Sequence, residues 1–426
     1  MDDNDNLSNS FPIIEEKFEK DKEKEKENNK EITKDIKENK ESSKEIIKEG
    51  TKEKEKESKT SKNKKEKPDI FRDIIPPFNS RIKLKWKTDL NKSVIIDNYV
   101  ERGWVEAGED DEDWNIYWAT ITTIRNIFSG KSSIKLNDMQ VLNHFPTYYE
   151  LCRKDNMAKN IKKYKKQLIK ENKNTDMLDF LPMTFVLPGD MSVFLEEFKK
   201  WPNSLWILKP SNRSQGQGIV LVNKINKVKK LSFTTKTFTE NNTTYTINEN
   251  YVISKYLENP LLVSDKKFDM RIYALVTSYH PLKVWLFRHG FCRFCNEKFS
   301  IDVDSIDNIF CHLTNVAVQK KYEKYNSSHG GKWSLKNMRI YLEMNFGYDK
   351  ANMCFNEINN IIINSLKSVQ SVMHSDKHCY ECYGYDIIID SNLKPWLIEI
   401  NASPSLSTTT IVDKILKRKL ISDIVK

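Results

Sequence analysis

Two places in the chain combine residue types and spacings that could do chemistry. The first is Lys209-Pro210, at the end of the apolar run Leu205-Trp206-Ile207-Leu208, followed by Ser214-Gln215-Gly216-Gln217-Gly218. A lysine leaving a strand beside a glycine turn can set its ammonium on a phosphate while backbone N–H groups cradle the other oxygens. Glycine lets the backbone come close enough. The spacing is not that of a P-loop, and alone such a turn is more often a plain hairpin. The second place is Asp386, after Tyr385, with Glu399 and Asn401 further on. Residues two apart on a strand share a face, so Glu399 and Asn401 point one way and Trp396, Ile398 and Ile400 the other. A neighbouring strand, reached through the turn Asp390-Ser391-Asn392, would bring Asp386 to the same patch. Two carboxylates and an amide oxygen are hard ligands, suited to Mg²⁺ held together with nucleotide phosphates.

Two further clusters are less specific alone. Lys267-Phe268-Asp269-Met270-Arg271 enters a strand-like run with charges on alternate residues. Its cations could hold a transferring phosphoryl group, or form a surface salt-bridge ladder. Thr314-Asn315 says little by itself. The pairs Cys292/Cys295 and Cys379/Cys382 have zinc-ligand spacing, but an extended strand would splay their sulfurs to opposite faces, so they read as buried thiols.

The elements that must position these groups follow from periodicity. Strands are expected at Arg102–Val105, Trp114–Trp118, Leu205–Leu208, Ile219–Val222, Tyr251–Ser254, Met270–Thr277, Val284–Arg288, Asp386–Ile389 and Trp396–Ile400. Met157, Ile161, Tyr164 and Leu168 recur at helical spacing and predict a lysine-rich helix over Met157–Asn172 with one buried face. Phe355, Ile358, Ile362, Leu366, Val369 and Met373 predict a second helix, and residues 231–249 read as an exposed excursion. Strands and helices without strict βαβ alternation indicate an α/β or α+β enzyme of several units.

Composition sets the frame. Residues 1–70 hold 19 Lys, no Arg and 21 acidic residues, with no aromatic between Glu19 and Ile70. Such a stretch buries too little apolar surface to order itself, and a disordered tail is expected. Residues 71–426 then carry 51 basic and 39 acidic residues, an excess of +12. A basic folded surface favours a polyanionic partner. Nucleic acid is disfavoured, because the lysine-rich tail is charge-balanced and lacks interleaved aromatics. No apolar run approaches the roughly 20 residues that span a bilayer, so no membrane is expected. The acidic start is unlike a secretory signal, and the seven cysteines are expected as reduced thiols in the cytoplasm.

Taken together and in order, these motifs match the ATP-grasp arrangement. The chain resembles the tubulin tyrosine ligase-like family over roughly residues 81–426, and within it most closely the polyglutamylase catalytic subunits. Trp206-Ile207-Leu208-Lys209-Pro210, Lys267-Phe268-Asp269-Met270-Arg271, His312-Leu313-Thr314-Asn315-Val316-Ala317 and Trp396-Leu397-Ile398-Glu399-Ile400-Asn401-Ala402-Ser403-Pro404-Ser405-Leu406 carry the family likeness. The stretches Phe291–Cys295, Gly330–Trp333 and His378–Asp386 carry the narrower one. The resemblance implies an ATP-grasp fold, with a small N-terminal α/β domain over 71–150, a central subdomain over 151–263 and a C-terminal subdomain with the Mg²⁺ site over 264–426. It implies that Lys209, Gln215 and Gly216 contact ATP phosphates and that Ser254, Lys255, Tyr256 and Leu257 form the hinge beside adenine. Lys267, Phe268 and Asp269 would lie near ribose and phosphates, Thr314 and Asn315 would close on the nucleotide, and Lys159 could reach it. Asp386, Glu399 and Asn401 would hold Mg²⁺. Arg293 and Lys332 would grip an incoming L-glutamate, and Arg271 would steady the phosphoryl group. The chain departs from the family at Gln217, where a Lys or Arg is usual, which would weaken phosphate binding.

The reaction so implied joins glutamate to the γ-carboxylate of glutamates in acidic tubulin tails through an acyl phosphate, on microtubules of the cytoskeleton and the ciliary axoneme or basal body. Tyrosine or glycine ligation on the same fold, or a non-catalytic microtubule-binding role, are the alternatives. About 25 residues follow Asn401, with nothing like a long basic microtubule-binding module, so accessory subunits are expected to supply targeting.

Overall fold

The computed structural model describes residues 83–130, 132–232, 235–240, 243–326 and 330–426. These belong to one unit, Asp69–Lys426; the expected tail over 1–70 lies outside the described residues.

Three main sheets succeed one another. The first is parallel, in the order β2-β1-β3-β4, from β1 (Lys85–Thr88), β2 (Val105–Glu106), β3 (Ile116–Trp118) and β4 (Val141–Leu142). The expected strand at Arg102–Val105 survives only at its end, because Gly103 turns the chain with φ +70°. Trp86, Tyr99 and Trp104 fill the core here, Tyr99 and Trp104 stacking with centroids 5.5 Å apart. Tyr99 comes from α1 (Ser93–Val100).

Helix α2 (Lys154–Lys170) follows, starting one turn earlier than its apolar period suggested, with Met157, Ile161 and Leu168 buried. The second sheet is antiparallel, in the order β5-β10-β6-β7. Its strands are β5 (Thr184–Leu187), β6 (Trp206–Pro210), β7 (Val220–Val222) and, after a hairpin of β8 (Thr235–Glu240) and β9 (Thr243–Asn248), β10 (Tyr251–Lys255). That hairpin occupies the expected excursion. Phe194 and Phe198 of α3 (Met191–Lys200) pack edge-on and face-on against Trp206, covering one face of the sheet.

The third sheet joins β11 (Leu262–Val263), β12 (Lys266–Tyr279), β13 (Leu282–Phe294), β14 (Lys332–Ser334), β15 (Glu381–Ile389) and β16 (Pro395–Asn401). Its order is β14-β13-β12-β15-β16, antiparallel, with β11 on β12. Met270, Ile272, Ala274 and Val276 of β12 face one way, into a core closed by Ile358, Ile362 and Leu366. Those three lie on α5 (Tyr348–Val369), the expected helix. It is preceded by α4 (Leu335–Phe346), which the sequence reading missed although Leu335, Met338 and Leu342 are buried at helical spacing. The chain described ends in α6 (Ile411–Ile424), whose Ile421 joins the core of the first sheet.

One local feature overturns an expected facing. Glu399 lies opposite Asp386, yet Leu397, not Ile398, lies opposite Ile387. This bulge at Ile398 adds a residue and reverses the alternation. Leu397 and Ile400 therefore both enter the core, and Ile398 turns to the other side with Glu399.

Candidate functional site

The second and third sheets face each other across a pocket. Ile207, Val252 and Ile219 line it from one side, and Ile388, Leu397 and Ile398 from the other, so its walls are flat and apolar. Of the expected site residues, Lys209, Ser254, Lys255, Tyr256, Leu257, Lys267, Asp269, Arg293, Thr314, Asn315, Asp386 and Glu399 line it. The long strand β12 explains much of this convergence. Its odd residues Lys267, Asp269 and Arg271 face the site, while Phe268 and Met270 turn into the core. Phe268 is therefore a packing residue and contributes no side chain to the pocket.

The charges are set in two adjacent rungs of the third sheet. Lys332, Arg293 and Asp269 are directly opposite one another on β14, β13 and β12. Two residues along β12, Arg271, Asp386 and Glu399 are opposite one another on β12, β15 and β16. Arg293 Nε donates to Asp269 at 2.7 Å, and its Nη2 bridges to Asp386 at 2.7 Å. Arg271 grips both oxygens of Asp386. Thr314 donates to Asp269 at 2.7 Å, tying the following segment into the network. Burial works to raise the Asp386 pKa, but the guanidiniums of Arg271 and Arg293 overcome it and hold the carboxyl well below its usual range.

Lysines complete the pocket. Lys209 is buried and, among the described residues, carries no counter-ion at contact distance; desolvation pushes its pKa down to about 8. Lys267 is likewise pushed down to about 8 by burial. It donates to the Tyr256 hydroxyl at 2.8 Å and to the His312 carbonyl at 3.0 Å, and so fastens the Tyr256 hinge to the segment that carries Thr314. Ser254 shares a 2.8 Å hydrogen bond with Thr184.

Some expected residues lie elsewhere. Asn401 is beside Glu399, at 3.4 Å, but opens on a neighbouring cleft. Lys332 is held by both oxygens of Asp413, at 2.9 and 2.8 Å. Lys159 is exposed and lines a separate groove on α2. Gln215 and Gly216 sit above the pocket in left-handed conformations, φ +60° and +79°. A Cβ on Gly216 would stand 2.9 Å from Val318 Cγ2 and 3.0 Å from Asn315 Oδ1. Gly216→Ala is therefore expected to push the loop off Asn315 and to raise the KM for nucleotide about ten-fold or more, from strain and clash of roughly 1–3 kcal/mol. Initial rates with nucleotide varied would check this, and an unchanged KM would remove the loop from the site.

The residue most clearly missed is Lys154, the first of α2. Its Nζ lies 3.5 Å from Glu399 and 2.9 Å from the Arg213 carbonyl, joining the acidic rung to the glycine loop. The signal was present: stepping the buried stripe of α2 back three residues from Met157 lands on Lys154, a charge on an apolar face. The four cysteines of the two Cys-x-x-Cys pairs are buried and free. Among the described residues no three His, Cys, Asp or Glu side chains converge as metal ligands, and no helix is long and apolar enough to cross a membrane.

A pocket with apolar residues on two sides and interleaved lysines and carboxylates can hold a nucleotide and present its phosphates to an anionic acceptor. Residues 132–426 match the tubulin-tyrosine ligase family. The chain is 57% identical over 352 residues to the probable alpha-tubulin polyglutamylase Ttll1 of Tetrahymena thermophila, covering 80% of this chain and 85% of that protein. It is 40% identical over 369 residues to the probable tubulin polyglutamylase TTLL9 of Rattus norvegicus, covering 80% and 79%. It is 40% identical over 327 residues to the probable tubulin polyglutamylase ttll-9 of Caenorhabditis elegans, covering 76% and 75%. A sequence that matches over most of its described length identifies the chain as a ligase of the tubulin-tyrosine ligase family.

Proposed function

We propose that the protein is an ATP-dependent tubulin polyglutamylase with an ATP-grasp fold, divided into units over 71–150, 151–263 and 264–426. The γ-carboxylate of a tail glutamate attacks the terminal phosphorus of ATP, and ADP leaves. The amine of free glutamate then attacks the acyl carbon, an isopeptide bond forms, and phosphate and the amine's proton depart. A carboxylate is a poor electrophile, which is the chemical reason for its phosphorylation.

The residues divide this work. Lys209 and Lys154 bind phosphate oxygens, with Gln215 and Gly216 presenting backbone N–H groups above. Ser254, Lys255, Tyr256 and Leu257 meet the base between the apolar walls, and Lys267, Asp269, Thr314 and Asn315 hold the sugar and phosphate side. Asp386, Glu399 and Asn401 fit Mg²⁺ in donor type, since all offer hard oxygen and Glu399 lies opposite Asp386. Both Asp386 oxygens already accept from arginine, Oδ2 from Arg271 and Arg293 together, so Asp386 would offer Mg²⁺ the remaining lone pair of Oδ1. When bound, Mg²⁺ would neutralise charge on the phosphates. Arg271 keeps Asp386 ionised and in place.

The observation that carries glutamate as donor is the first charge rung. Arg293 and Lys332 are cross-strand partners, so their side chains leave the sheet on the same face and each would take one carboxylate of a glutamate. Tyrosine and glycine have only one. In this structure each cation is satisfied internally, Arg293 by Asp269 and Asp386 and Lys332 by Asp413. Glutamate must therefore compete with these partners or share the cations with them. Removing Arg293 outright would leave two buried carboxylates short of a counter-ion and could cost about 3–5 kcal/mol of stability, so Arg293→Lys is the sharper test. It is expected to raise the glutamate KM on the order of ten-fold, and the ATP KM by less, because an ammonium loses the fork. The decisive assay supplies labelled glutamate, ATP, Mg²⁺ and microtubules, with tyrosine and glycine as competitors. Incorporation of tyrosine or glycine in preference to glutamate would overturn the reading.

The excess of basic residues over 71–426 suits an acidic tubulin tail. Action on microtubules of the cytoskeleton and cilium, and service by accessory subunits, belong to the same proposal.

A further inference from the structure

The face of α2 that turns away from the core is a stripe of lysines. Lys159, Lys163, Lys166 and Lys170 recur at four, three and four residues, and Lys162 stands beside them. All five are exposed. Together they line a groove floored by Phe185 and Val186 of β5 and edged by Val193 of α3. Among the described residues, Lys159, Lys163, Lys166 and Lys170 have no ion-pair partner. Elsewhere on this surface lysines find acids: Lys165 pairs with Asp179 and Lys173 with Glu171. The one carboxylate in the groove, Asp190, accepts the Val186 N–H at 2.8 Å and stands 4.0 Å from Lys162. An uncompensated row of like charge is a cost to the folded protein that an anion would relieve.

The placement of the row gives it direction. The groove adjoins the pocket at β5: Lys162 donates to the carbonyl of Thr184, which lines the pocket, and the next residue, Phe185, lies on the groove floor. Over 17 residues the helix runs about 25 Å at 1.5 Å per residue. An extended peptide of about eight residues covers that length at 3.3 Å per residue.

We propose that the α2 lysine groove is a docking track for an acidic, glutamate-rich peptide segment, holding it with one end at the catalytic pocket. Charge complementarity selects the occupant, and the groove's hydrophobic floor takes the stems of its side chains. The proposal rests on the reading of the chain as a ligase acting on an acidic protein tail, and its test separates the two. The triple variant Lys163→Gln, Lys166→Gln, Lys170→Gln changes only exposed positions, and glutamine is a good helix former, so the fold is expected to hold. Binding of a fluorescein-labelled oligoglutamate peptide to the full chain is read by anisotropy across a salt series. The wild type is expected to bind with strong salt dependence, and the variant on the order of ten-fold more weakly with a shallower slope. The KM for microtubules should rise by a similar factor, while those for ATP and glutamate stay put. Equal peptide affinity in both proteins overturns the proposal, as does tight wild-type binding of RNA or anionic vesicles with none of the peptide. If the variant transfers glutamate with an unchanged microtubule KM, the groove falls and the ligase reading stands. If the wild type transfers no glutamate but binds the peptide through these lysines, the groove stands and the ligase reading falls.

Discussion

Glu399→Gln is expected to abolish ligation while leaving the folded protein intact. Glu399 stands opposite Asp386 across β15 and β16, and its second neighbour is Lys154 at 3.5 Å. Of the two carboxylates it is the freer one, because Asp386 is wrapped by two guanidiniums. Glutamine keeps the shape and one oxygen but removes the negative charge. Loss of an outer partner of a metal ligand already costs about 10–100-fold in affinity or activity, and loss of a charged ligand should exceed about 100-fold. The fold should tolerate the change, since the ion pair given up is partly solvated and worth on the order of 1 kcal/mol or less. Two measurements check this. Initial rates report the loss of turnover. Thermal shift with ATP at rising Mg²⁺ should show added stabilisation of the wild type and a flat response in the variant. A variant retaining half the wild-type rate would sink the assignment of Glu399 to the metal.

The site was legible where chemistry and periodicity coincide. Lys267, Asp269 and Arg271 alternate with Phe268 and Met270, and that alternation alone puts the charges on one face of β12 and the apolar residues in the core. Lys209 at the end of β6 and the left-handed Gln215-Gly216 turn were legible for the same reason. What alternation could not show was the bulge at Ile398, because a bulge is set by the partner strand and by the need to bury Leu397 beside Ile400. Nor could it show that Arg293 is neutralised by Asp269 and Asp386. That follows from a three-strand register, and register is fixed by tertiary packing. Helix α4 was missed because only Leu335, Met338 and Leu342 mark it, over three turns. Lys154 was missed because the helix was read as starting at its first apolar residue, and a half-buried lysine one turn earlier carries no apolar signal.

Replacing Lys209 should separate stability from function. The lysine is buried on β6 with no contacting counter-ion among the described residues, and its pKa is pushed from 10.5 down to about 8, first by desolvation, against the more distant pull of Glu399. The folded state therefore releases its proton more readily than the unfolded chain. Between about pH 8 and the unfolded value the unfolded chain binds more protons, so stability from this group rises with pH through that window. Below pH 8 the full penalty is present, on the order of 3 kcal/mol at 1.36 kcal/mol per pKa unit. Lys209→Met keeps the length of the side chain and removes the charge. At pH 7 the variant is expected to melt higher than the wild type, and the difference should shrink as pH climbs from about 8 towards 10.5. Function should move the other way. The ammonium that costs stability is the one available to phosphate, and loss of a charge-assisted contact in a dry site should lower kcat/KM for ATP on the order of 100-fold. Wild-type nucleotide affinity should itself weaken as pH rises through about 8, while the variant's weak binding stays level. Melting curves over this pH range, with and without ATP, check both halves. A variant that melts lower than the wild type at pH 7 would mean that Lys209 is a structural cation satisfied in the free protein. A variant that still gains melting temperature with ATP would mean that the phosphates lie elsewhere.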